Sequence, residues 1–248
     1  MRKLISAIAL AALVLALAVT PASADTDYAA DAFTRTGSPG WGTADQGGSW
    51  SHYDSLNGNS SSSWHSTDGS KGVVAITTTN GLKITANLLG GSRTDVVTDQ
   101  IVTVKVDNTT GAYGMLIARA GDHNSFYAAQ IDFGGQQFRL RKNVNNVWTT
   151  LGSNVSGTYN TNTDYTIRFR LDGTNLMAKV WQGTQLVGEP ESWTVSLTDS
   201  TYTYSAGGSA GVSAAVTTTN TTRTFKFDDF GARYCTEACG SNDGSWAS

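Results

Sequence analysis

The sequence predicts an all-β protein, a two-sheet antiparallel jelly-roll sandwich, and three observations carry that reading. Short runs of alternating apolar and polar residues recur along the chain after residue 24. Turn dipeptides separate those runs. No window outside the first 24 residues keeps a helical period. About 11 to 13 short strands at this spacing fit one sandwich larger than an immunoglobulin domain, which needs about 100 residues and a Cys…Trp…Cys pattern.

The elements follow in chain order. Met1-Arg2-Lys3 is a short positive leader, Leu4 to Val19 an apolar run, and Pro21-Ala22-Ser23-Ala24 a small-residue cleavage site. The run is slightly short for a membrane span, so residues 1–24 read as a signal peptide cleaved near Ala24, and the product as secreted. Residues 25–234 form one domain. Within it Leu82, Ile84, Ala86 and Leu88 alternate with polar neighbours, as do Val102, Val104 and Val106, and then Tyr165, Ile167, Phe169 and Leu171. Asn80-Gly81, Gly134-Gly135, Asn145-Asn146 and Asp172-Gly173 are turn signals between strands, and Asn-Gly and Asp-Gly supply the positive φ that tight hairpins need. The Gly/Ser-rich stretch from Asn57 to Ser63 reads as a surface loop. Residues 235–248 form a tail in which Cys235 and Cys239 close a short disulfide loop, a pairing that export permits. Three intervening residues exclude a C-x-x-C redox motif, and no further ligands at finger spacing make a zinc site.

Composition narrows the function. The chain carries 17 Lys+Arg against 20 Asp+Glu, a net charge of −3, so no positive field gathers nucleic acid. Hydrophobic residues make up 39% and charged residues 15%, which excludes a disordered chain.

A family resemblance rests on a set of motifs: Asp31-Ala32-Phe33-Thr34-Arg35, the run from Gly40-Trp41-Gly42 to Ser49-Trp50, Gly114 to Arg119, Asn124-Ser125-Phe126-Tyr127, Glu189-Pro190-Glu191-Ser192-Trp193, and Phe227-Asp228-Asp229-Phe230. Together they resemble the concanavalin A-like lectin/glucanase superfamily in its laminin-G-like branch, as a bacterial secreted module. The resemblance implies two curved antiparallel sheets with the first and last strands adjacent. It also implies a structural calcium near the paired termini, with Asp31, Asp228 and Asp229 as ligands. It fixes no activity, because the fold hosts lectins, hydrolases, lyases and adhesive domains.

The residues speak against catalysis. The glucanases of that superfamily carry a Glu-x-Asp-x-(x)-Glu strand, whereas the glutamates here are Glu189, Glu191 and Glu237, none in an alternating strand. His52, His65 and His123 fall in polar, loop-like segments without the partners a lyase base needs. No G-x-S-x-G elbow is present.

Glycan binding needs a ring for the apolar sugar face and planar donors for the hydroxyls. If Tyr165, Ile167, Phe169 and Leu171 face the core, Arg168 and Arg170 face out. By the same alternation Phe138 and Leu140 point in, with Arg139 and Arg141 out, and Gln130, Lys179 and Trp181 also point out. Five of the ten arginines (Arg119, Arg139, Arg141, Arg168, Arg170) crowd this central region. The expected site is therefore Arg119, Gln130, Arg139, Arg141, Arg168 and Arg170, with Trp181 as the stacking platform and Trp148 as a second candidate ring. The expected function is a secreted, non-catalytic carbohydrate-binding protein whose partner is a polysaccharide or cell-surface glycan, with arginines favouring an acidic one. The alternatives are a structural or protein-binding surface protein and, third, a lyase or hydrolase with an unrecognised site. An exposed sheet that is merely solubilised by Arg, Thr and Lys would show the same alternation.

Overall fold

The computed structural model describes residues 26–37, 39–54, 58–59, 63–77, 82–90, 97–185, 187–202, 208–217 and 220–235. The leader, Asn80-Gly81, Glu237 and Cys239 lie outside these residues. The strands are β1 (Thr26–Asp31), β2 (Thr36–Gly37), β3 (Ser51–Asp54), β4 (Gly58–Asn59), β5 (His65–Asp68), β6 (Gly72–Thr77), β7 (Lys83–Leu89) and β8 (Val97–Val106). There follow β9 (Ala112–Asp122), β10 (Ser125–Asp132), β11 (Gln137–Val144), β12 (Val147–Ser156), β13 (Tyr165–Asp172), β14 (Asn175–Gln182), β15 (Val195–Thr198), β16 (Ser209–Val216) and β17 (Thr222–Cys235). Seventeen strands exceed the 11 to 13 expected, because short edge pieces such as β2 and β4 lack any readable alternation. No helix among the described residues is long and apolar enough to cross a membrane.

The strands form two antiparallel sheets, a jelly-roll sandwich. The first runs β15-β14-β13-β8-β17-β6-β5-β2, with β1 added along β17, and the second runs β12-β11-β10-β9-β16-β7-β3-β4. The first and last strands are adjacent, with Asp31 opposite Phe230. A turn falls at Asn145-Asn146 as expected, joining β11 to β12, with positive φ of 50° and 65° at the two residues.

The predicted alternation of β10, β11, β13 and β14 holds. Ile167, Phe169, Leu171, Leu176 and Ala178 from one sheet meet Tyr127, Ile131, Phe138 and Leu140 from the other in a single buried core. Trp41, Trp50 and Phe33 close one end of it with ring contacts of 4.9 to 5.8 Å.

β7 reverses the usual polarity. Thr85 and Asn87 are buried inside, while Ile84, Ala86 and Leu88 join a second apolar cluster with Met115, Ile117, Phe126 and Ala128 on the outer face of the second sheet. The inward polar groups are satisfied locally: Asn87 Oδ1 pairs with His52 Nδ1 at 2.8 Å, and Thr85 Oγ1 accepts the Ala214 N–H at 3.1 Å. Two of the three histidines also differ from expectation. His52 and His65 sit in strands, 7% and 1% exposed, with ring centroids 4.3 Å apart beside Trp41. His123 lies at the β9–β10 hairpin.

Candidate functional site

The predicted arginines do not share one face. Arg139 and Arg141 lie on β11 in the second sheet, whereas Arg168 and Arg170 lie on β13 in the first. Both pairs point away from the core, so the sandwich separates them. Hairpin pairing keeps neighbours in sequence together, but the chain changes sheets between β12 and β13, and alternation along a strand cannot reveal that.

On the first sheet the charges saturate one another. Asp99, fully buried, accepts from Arg168 Nε at 3.0 Å and from Arg170 Nη2 at 3.0 Å, with Arg233 Nη2 at 3.8 Å. Glu189 pairs with Arg168 at 2.5 Å and Lys179 at 2.7 Å. Burial alone would lower the pKa of Arg168, yet Asp99 and Glu189 raise it above its ordinary value. The Trp193 ring covers this network, 5.3 Å from Arg170 and 4.8 Å from Lys179. Arg168 and Arg170 therefore hold the segment carrying Glu189 and Trp193 onto the sheet. Trp181 is not a platform: its ring is 7% exposed, and Nε1 donates to the carbonyls of Thr184 and Val187 at 3.1 and 3.0 Å.

Arg119 is likewise committed elsewhere. It has φ of 49° in β9, and its Nη1 donates to the Gly173 carbonyl in the β13–β14 turn, tying the two sheets together. Burial lowers its pKa.

The expected calcium ligands do not converge. Asp31 accepts from both Arg35 Nη atoms at 2.7 and 2.6 Å, from Trp50 Nε1 at 2.6 Å and from the Phe33 N–H at 2.9 Å. Asp228 pairs with Lys71. Burial, then the charge of Asp228, raises the pKa of Asp229, whose carbonyl accepts from Gln185. The first two acids already have cations, so a shared Ca²⁺ does not fit this trio. Among the described residues no cluster of three His, Cys, Asp or Glu could hold a metal. Cys235 ends β17 in a buried position, and its expected partner Cys239 lies outside the described residues.

What remains is the outer face of the second sheet. Cross-strand rows there run Arg141–Ala128–Ile117–Gly211–Leu88 and Arg139–Gln130–Met115–Ser213. Small residues make a low floor between larger walls. An outward face of an antiparallel sheet is ordinarily polar, so an apolar floor with a polar rim marks a binding surface. A cavity of about 140 Å³ opens on it, lined by Tyr113, Met115, Gln130, Arg139, Arg141 and Trp148 among others. That is smaller than an enclosed drug-sized pocket, at roughly 300–1,000 Å³, and suits a single ring lying in a shallow groove.

Within this groove Gln130 Oε1 accepts from Arg139 Nε at 2.6 Å, and Arg139 Nη2 reaches Asp132 at 3.1 Å. Arg139 is thereby neutralised and held. Arg141 is not. Its guanidinium carbon stands 4.7 Å from the Trp148 ring centroid, it forms no ion pair among the described residues, and its buried Nε has no hydrogen-bond partner. Desolvation, then the charge of Arg139, lowers its pKa. A cation held half-buried on a ring beside a second arginine is built to receive an anion or an acceptor-rich group. The sequence reading named Arg139, Arg141, Gln130 and Trp148. It missed Tyr113, whose outward position on the β9 alternation was the available signal.

No family model matches this chain, and no curated protein matches it. Solved structures do. The lectin UEA-II complexed with galactose shares 10% identity over 86% of this chain and 99% of that one, with a TM-score of 0.50. An uncharacterized protein, an Rv0315 ortholog from Mycobacterium paratuberculosis, shares 14% over 82% and 98%, with a TM-score of 0.50. The Ca²⁺-bound exoplasmic/lumenal domain of VIP36 shares 11% over 82% and 87%, again at 0.50. At these identities the likeness is one of fold: the chain has a jelly-roll sandwich like those of these proteins.

Proposed function

We propose that this protein is a secreted, non-catalytic carbohydrate-binding protein that holds an acidic polysaccharide on the outer face of its second sheet. The observation that carries the reading is Arg141, which stands on the Trp148 ring above an apolar floor and forms no ion pair among the described residues. The ring offers a surface for the C–H face of a sugar, and the guanidinium offers paired donors to a carboxylate or sulfate. Arg139 and Gln130 set the rim. The lectin-like fold supports a glycan as the partner. The leader read at residues 1–24 supports export, and the Cys235–Cys239 staple suits an oxidising compartment.

The test is a glycan array on residues 25–248, followed by titration with the best acidic ligand. Arg141→Ala and Trp148→Ala should each weaken binding at least tenfold, and Arg168→Ala should leave the affinity unchanged. Silence across neutral and acidic glycans from a folded protein would refute the assignment. So would binding that survives both groove substitutions.

A further inference from the structure

Two buried polar atoms without partners lie beside the same ring. One is Arg141 Nε; the other is Oδ1 of Asn143, a residue only 2% exposed. They sit at i and i+2 on one face of β11, roughly 7 Å apart along the strand. Oδ1 of Asn143 has no hydrogen-bond partner among the described residues. A buried amide oxygen without a partner in a native fold calls for an explanation.

The neighbours of Asn143 supply one. Across the ladder it is flanked by Phe126 on β10 and Trp148 on β12. Those two residues are two strand spacings apart, roughly 9.6 Å, yet their rings meet edge to face with centroids at 5.5 Å. The rings therefore lean towards each other across Asn143 and cover it. Trp148 belongs to β12, an edge strand, so its far side carries no further strand.

We propose that Trp148 covers a second sugar subsite, one that takes a neutral, hydroxyl-bearing residue linked to the acidic residue at Arg141. On binding, the indole turns off the Phe126 edge and stacks on that sugar, and Asn143 then bonds its hydroxyls. The ligand thus lies lengthwise along β11, as an acidic–neutral disaccharide unit. This inference rests on the acidic-glycan reading above.

The probes are glucuronic acid and cellobiouronic acid, a glucuronic acid linked to glucose, titrated calorimetrically with indole fluorescence followed in parallel. The disaccharide should bind at least tenfold more tightly than the monosaccharide. It should shift the emission, and Trp148→Phe should abolish the shift. Asn143→Leu should erase the tenfold gain while binding glucuronic acid as the native protein does. Its Tm should hold or rise, because the lost amide oxygen had no partner; a merely structural Asn143 would lower Tm. Equal affinity for the two probes, an Asn143→Leu variant that keeps the gain, or one that weakens both probes alike would overturn the subsite alone. No binding of either probe would overturn the acidic reading and the subsite with it.

Discussion

Replacing Asp99 by Asn tests whether the arginines of β13 are structural. Asp99 stands directly opposite Arg170 on β13 and Arg233 on β17, and Arg168 reaches it diagonally. Its side chain is 0% exposed, and those of Arg168, Arg170 and Arg233 are 5%, 9% and 8% exposed. With Asp99 neutral, Glu189 would still pair with Arg168 and Lys179, but the shared acceptor of Arg168 and Arg170 would be lost. Removing one partner of a buried ion pair costs about 3–5 kcal/mol, because the remaining charge stays desolvated. At about 2–4 °C per kcal/mol for a domain of this size, Tm should fall by roughly 6–20 °C. Urea unfolding should show the loss as a lower midpoint at unchanged slope. Affinity for the glycan should not change, since the groove lies on the opposite sheet. A loss below about 1 kcal/mol would refute the reasoning, because it would mean that water reaches these charges and screens them.

Three further outcomes follow from the structure. Burial lowers the pKa of His52 below its ordinary 6.5. The unfolded chain therefore binds a proton that the folded one refuses, and stability is full above about pH 6.5 and declines as pH falls below it. A Tm that stays flat or rises between pH 7 and pH 5 would contradict this. Gly211 lies on the groove floor, where an added Cβ would collide with the backbone oxygen of Asn87. Gly211→Ala should cost about 1–3 kcal/mol or more in urea unfolding, and an unchanged midpoint would show that β7 and β16 can separate freely. Chelation with EDTA should leave Tm unaltered, since Asp31 is held by Arg35 and Asp228 by Lys71. A large drop would reveal a cation elsewhere in the chain.

Much of the fold is legible because strand alternation is a local property. Tyr165 to Leu171 and Phe138 to Arg141 announce their inner and outer faces, and Asn145-Asn146 announces its turn. β7 shows the limit of such reading. Its apolar side faces outward because Asn87 and Thr85 find partners inside, and those partners come from β3 and β16. Trp181 shows another. Alternation points it outward correctly, but the carbonyls of Thr184 and Val187 come back over it and bury it.

By itself the sequence determined the all-β class, turn positions such as Asn145-Asn146, and the outward direction of Arg139, Arg141, Arg168 and Arg170, since each depends on residues adjacent in the chain. The tertiary structure alone decided which arginines are free. Arg168 and Arg141 look alike in their strands, each an outward cation that follows an inward apolar residue. Asp99 lies 69 residues before Arg168 and neutralises it, while among the described residues no carboxylate pairs with Arg141. Charge is fixed by residue type, but its availability depends on what the fold brings within about 4 Å, and no local pattern encodes that distance.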